Sequence, residues 1–157
     1  MALDLFFMIG YSCSISRTAQ LFSHRLPLMA WAAGIGILLV LMADLAENLT
    51  MLGSLDLAQS GIDLDPARIT WQVGISGFKW FTAAFVLVAL SLILPRDTWL
   101  ETALVWLARI TMPVGAALFV SGALDQRLLG GLFILVGMGG GLGFPALVLF
   151  LRDRRGA

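Results

Sequence analysis

The sequence predicts an all-α integral membrane bundle of five transmembrane helices, and three observations carry that prediction. Of its 157 residues, 59% are apolar and 13% charged, whereas soluble domains carry about 25% charge. The mean hydropathy is +0.93. Finally, apolar runs recur at about the 20-residue length that a helix needs to cross a hydrocarbon core of about 30 Å.

The elements follow in order. Helix 1 is expected over residues 2–22, with Asp4 near its start, Arg17 and Gln20 near its end, and an apolar middle from Leu5 to Ile15. It is the weakest span, and without it four would remain. Helix 2 is expected over 27–55, opened by Pro27, a residue suited to the first helical turn. The segment 56–65 reads as an acidic aqueous loop. Asp65-Pro66 then supplies an N-cap and a proline at N1 for helix 3, over 66–94. Pro95 breaks the chain, and Thr98-x-x-Glu101 has the form of a capping box that opens helix 4, over 99–124, with a kink expected at Pro113. Asp125-Gln126-Arg127 reads as a tight turn before helix 5, over 128–151, which Pro145 is expected to end or bend. The tail 152–157 is basic. One transmembrane domain therefore takes up the whole chain.

Charge sets the expected orientation. Arg17, Arg25, Arg96, Arg152, Arg154 and Arg155 fall on one side of the bundle, against Arg68 and Arg127 on the other. Retention of positive charge on the cytoplasmic side gives an outside N-terminus and a cytoplasmic C-terminus, as expected in an inner (cytoplasmic) membrane. No basic segment precedes the first apolar run, so helix 1 is expected to be kept rather than cleaved as a signal peptide.

Composition also excludes. Ten Lys and Arg balance ten Asp and Glu, which argues against nucleic acid as a partner. A single Cys, Cys13, forms no internal disulfide, and a single His, His24, supports no poly-histidine metal site or bis-His haem. No cofactor is predicted from the residues.

The informative residues are the charges placed too deep, since an ionisable group mid-span costs about 2.5–3.5 kcal/mol on insertion scales. Asp44, Glu47 and Asn48 share one face of helix 2 by their i, i+3, i+4 spacing. Lys79 lies at matching depth on helix 3, so the hairpin is expected to pair it with Asp44 or Glu47. Arg109 near the middle of helix 4 cannot lose its proton and needs a carboxylate or several carbonyls; Asp44 is the acid nearest its expected depth. Asp4, Tyr11 and Gln72 are further polar partners. One reading of this cluster is a structural ion network, and the other is a polar pathway or ligand site.

The run Asp44-Leu-Ala-Glu-Asn48-Leu, followed by an Asp-Pro-Ala-Arg turn and then Gly77-Phe-Lys79-Trp80, resembles uncharacterised small bacterial membrane proteins with a DxxEN helix and a later LKW/LKF-type helix. Helix 1, with Asp4, Phe7 and Tyr11, also looks like theirs. The resemblance spans about residues 1–94, implies that the Asp44/Glu47 to Lys79 pairing is a shared feature, and brings no activity with it.

Helix 5 carries Gly137-x-x-x-Gly141 and Gly139-x-x-x-Gly143, faces that let backbones approach closely. They suit packing within the molecule, a partner chain, or a flat bound lipid, quinone or pigment. Three functional expectations follow. The first is an accessory subunit that packs against a larger membrane complex through this face. The second is a small transporter or proton-coupled channel built on the Asp, Glu, Lys and Arg cluster. An enzyme acting on a lipid-soluble substrate comes last, because no nucleophile–base pair or metal-ligand spacing supports it.

Overall fold

The computed structural model describes the backbone of residues 2–156 and the side-chain surroundings of residues 5–140. The chain is all-α, with five helices: α1 (Ala2–Leu21), α2 (Pro27–Gln59), α3 (Pro66–Ile93), α4 (Trp99–Ser121) and α5 (Leu124–Gly156). Among the described residues, α2, α3 and α4 are each long and apolar enough to cross a membrane.

Local chemistry explains most of the boundaries. Pro27 and Pro66 open α2 and α3 at a position where a missing N–H costs nothing. The Asp65 carboxylate caps α3 by accepting from the Ala67 N–H at 2.9 Å. The Thr98 hydroxyl accepts from the Glu101 N–H at 3.2 Å, and the Glu101 carboxylate returns the contact to the Thr98 N–H at 3.1 Å. These two reciprocal bonds close the capping box of α4.

Three boundaries differ from the sequence expectation. Helix α2 continues through Asp56, Leu57 and Ala58 to Gln59. No helix breaker stands before Ser60 and Gly61, and Gly61 turns the chain out at φ 73°; the loop shrinks to 60–65. At the other hairpin, Gly122 at φ 115° makes the reversal, so the turn needs only Gly122 and Ala123. Asp125, Gln126 and Arg127 then fall in the first turn of α5, where an acid suits the helix dipole. Lastly, α5 runs through Pro145 and takes in the basic tail as far as Gly156. Proline already holds a helical φ, and it is tolerated in apolar helices where neighbours re-satisfy the freed carbonyl. Helix α4 likewise passes Pro113 unbroken.

Large apolar side chains lie both inside, such as Ile37, Leu87, Leu90, Ile93 and Met112, and on the outer surface of the bundle. Buried positions are rich in small residues: Ala30, Ala33, Gly36 and Ala43 on α2, Ala83, Ala84 and Ala89 on α3, Ala108, Gly115 and Ala116 on α4. Other large apolar side chains point outward, among them Phe6, Leu28, Trp31, Met42 and Leu135. In lipid, outward apolar groups carry no penalty, and helices associate by close approach of small residues. Together with the three membrane-length helices, this pattern marks a membrane protein.

The two hairpins, α2–α3 and α4–α5, hold the most extensive helix contacts, and α1 lies mainly against α2. Glycine shapes both hairpins. A methyl at Gly36 would stand 2.5 Å from the Val86 Cγ2, and one at Gly130 would stand 2.6 Å from the Phe119 backbone nitrogen. The first close contact meets a side-chain tip, the second a rigid backbone, so α4–α5 is the less forgiving interface.

Candidate functional site

Asp44, Glu47 and Lys79 come together between α2 and α3. The Lys79 Nζ lies 2.9 Å from the Asp44 Oδ1 and also donates to the Glu47 Oε2. All three side chains are only 13–14% exposed. At about 1.5 Å per residue, Lys79 stands about 20 Å from either end of α3, and Asp44 stands about 26 Å from the start of α2. The triad therefore occupies the middle of both helices.

Neighbouring aromatic groups complete it. The buried Tyr11 hydroxyl on α1 donates to the Asp44 Oδ2, which ties a third helix into the site. Phe7 meets Tyr11 edge-to-face at 5.4 Å between ring centroids. On the far side, the Lys79 ammonium sits 4.9 Å from the Trp80 ring centroid, within cation–π range. Trp80 in turn packs edge-on against Phe119 of α4. The Asn48 amide reaches toward the Met8 sulfur at 3.8 Å.

An open groove of about 760 Å³ runs from the α2–α3 loop end down to this triad. One face of α2 forms its wall, with Asp44, Glu47, Asn48, Met51, Ser54 and Ala58, and Gln72 and Lys79 face them from α3. Gln72 thus lines the approach rather than touching the triad. At the same wall, the Arg68 Nε donates to the Ser54 Oγ at 2.8 Å, and its terminal nitrogen donates to the Thr50 carbonyl at 3.2 Å. The Arg68 guanidinium lies directly over Gly53, where a Cβ would make its flexible tip shift. Arg68 and Ser54 were not singled out by the sequence reading. Their signal lies in spacing: Arg68, Gln72 and Lys79 stand at i, i+4 and i+11, one stripe of α3.

Two carboxylates against one ammonium give the triad a formal charge of −1. Burying charged groups is costly unless they are paired and hydrogen-bonded, and here the Lys79 ammonium contacts both carboxylates while the Tyr11 hydroxyl donates to Asp44.

Arg109 is elsewhere, which corrects the expectation that it would join Asp44. Its Nε donates to the Ser91 Oγ at 2.8 Å and its terminal nitrogen to the Ser91 carbonyl at 3.3 Å. Ser91 is two residues from the end of α3, on the side away from the groove mouth. The side chain runs back along α4 toward the helix ends, the snorkelling that long cationic side chains use to leave an apolar interior. Depth alone, counted at Cα, conceals that reach.

The glycines of α5 divide between two directions. A methyl at Gly137 would stand 2.6 Å from the Thr111 Oγ1 and the Met112 Cγ, whereas Gly131 and Gly139 face open space. Asp4, Gly141 and Gly143 lie outside the residues whose side-chain surroundings are described. Among the described residues, no three His, Cys, Asp or Glu side chains gather in a metal-binding group.

No family model matches the chain, and comparison with curated proteins and with solved structures likewise finds no match. The functional reading therefore rests on the site's own chemistry.

Proposed function

We propose that the chain is a small proton-coupled transporter or channel, and that the Asp44–Lys79–Glu47 triad is its working site. One observation carries this reading: a net-negative ion triad forms the floor of an open groove, halfway along two helices of membrane length. Ionisable groups at such depth are functional-site hypotheses by default. A network serving structure alone has no need of a groove leading to it. In this reading all five helices span, with the N-terminus outside and the C-terminus in the cytoplasm, and the groove opens outward. Tyr11 holds Asp44, while Glu47 and Lys79 exchange the proton or release the solute.

The test is reconstitution into liposomes loaded with a pH-reporting dye. The wild-type chain dissipates an imposed pH gradient faster than empty liposomes, and Asp44→Asn and Glu47→Gln, checked for monodispersity, bring the rate down to that of the empty vesicles. Equal rates for wild type and both variants sink the proposal.

A second reading is favoured by the outer face of α5. The accessory-subunit expectation drew on the glycines there, and Gly130, Gly137 and Gly140 are engaged with α4 of the same chain. Gly131 and Gly139 are not, and they share a stripe with the exposed Leu128, Leu132 and Leu135. Purification from native membranes in mild detergent, with mass spectrometry of co-eluting chains and an absorption spectrum, tests that face for a partner chain or a bound quinone or pigment.

A further inference from the structure

A second charged locus lies at the opposite end of the bundle. Arg109 and Arg96 stand close enough to repel one another. Arg96 is exposed in the α3–α4 turn, and Arg109 is half-buried on α4. Between described residues neither guanidinium makes an ion pair, while Asp97 stands in the same α3–α4 turn and Glu101 in the first turn of α4, the Glu101 carboxylate accepting from the Asp97 and Thr98 N–H groups.

Arg109 is nevertheless held in place. Ser91, which is fully buried, donates its hydroxyl to the Val88 carbonyl at 2.6 Å and accepts from the Arg109 Nε. The guanidinium also lies 5.4 Å from the centroid of the Trp106 ring, a distance that allows cation–π attraction. The two bonds to Ser91 use two of the five guanidinium N–H groups and leave three for another acceptor. Trp99 and Trp106 flank the locus and are 81% and 51% exposed, as expected of aromatic residues at the headgroup level. A guanidinium fork anchored at Ser91, a second arginine in the adjoining α3–α4 turn and two exposed indoles are groups suited to a planar or tetrahedral oxyanion.

We infer that Arg109 and Arg96 bind a phosphate group at the α3–α4 end of the bundle, between the last turn of α3 and the first turns of α4. The position at the end of membrane-length helices favours the phosphate of an anionic phospholipid, with its acyl chains against the outward apolar face of α4. This site is independent of the triad, and its occupancy does not depend on transport.

The full-length protein in nanodiscs of phosphatidylcholine containing a minority of phosphatidylglycerol, released into native mass spectrometry, provides the test. Wild type retains phosphatidylglycerol above its bulk fraction. Arg96→Gln and Arg109→Gln each cut that enrichment about fivefold, the effect expected of one basic residue near an anionic headgroup. Arg127→Gln, at the other end of the bundle, leaves it unchanged. Arg109→Lys keeps the charge but loses the fork to Ser91 and falls between. Millimolar inorganic phosphate separates the two sources: no competition assigns the site to the lipid, and displacement with direct phosphate binding to lipid-depleted protein assigns it to free phosphate. Retention of both lipids at their bulk ratio, with no phosphate binding, overturns the inference. So does enrichment that survives Arg96→Gln and Arg109→Gln in folded, monodisperse protein.

Discussion

Lys79 and Arg109 are both cations set into apolar helices, yet the molecule handles them in opposite ways. Lys79 stays at mid-helix and is met there by two carboxylates brought from α2. Arg109 leaves its depth, reaching back to the serine near the end of α3. The contrast teaches that a buried charge in this fold is a property of its destination and not of its Cα. Compensation requires a partner helix with the right spacing; escape requires only a long side chain and a helix end within reach.

The contrast breaks most visibly if the triad is stripped of its acids. The double variant Asp44→Asn/Glu47→Gln leaves Lys79 without a counter-charge and should destabilise the protein by about 3–5 kcal/mol, read as the shift in SDS-induced unfolding in mixed micelles. Adding Lys79→Met to the same background removes the stranded charge and should recover most of that loss. A triple variant as unstable as the double would mean that packing, not charge, holds α2 against α3.

The second test moves to the α4–α5 hairpin, where no charge is involved. Gly130→Ala drives a methyl into the Phe119 backbone and should cost about 1–3 kcal/mol, while Gly131→Ala, with open space before it, should be neutral in the same assay. The smallest effect is expected at Arg109. Since Arg109→Gln removes two hydrogen bonds at a half-buried group and strands no partner charge, the expected loss is about 1 kcal/mol. A loss as large as that of the acid double variant would erase the distinction between the two cations.

Much of this architecture is legible in the sequence because it is written in local chemistry. The openings of α2, α3 and α4 depend on Pro27, Asp65-Pro66 and Thr98-x-x-Glu101, each of which acts within four residues. The approach of Lys79 to Asp44 and Glu47 follows from helical spacing and the shared hairpin, so counting from the loop suffices. Helix ends were harder. Leu57, Ala58 and Gln59 are compatible with either state, and only Gly61 marks the true turn. The reversal at Gly122 depends on a positive φ that glycine permits but does not impose. Arg109 was misplaced because a guanidinium can lie several ångströms from its Cα along the helix axis, a freedom that periodicity does not encode. The Arg68–Ser54 crossing joins residues on two different helices, a tertiary contact that the spacing within either helix does not specify.

The division of charge within the α2–α3 hairpin also bears on how the chain is made. Both acids of the triad lie on α2, and the lysine that answers them is synthesised some thirty residues later on α3. A ribosome delivering α2 alone to a membrane would present two uncompensated carboxylates to the lipid, each costing about 2.5–3.5 kcal/mol on insertion scales. Delivering the two helices together brings the lysine in with them and lowers the uncompensated charge of the triad from −2 to −1. The short 60–65 connection keeps the lysine tethered to its acids from the moment it emerges, an arrangement that would favour entry of α2 and α3 into a bilayer as one unit.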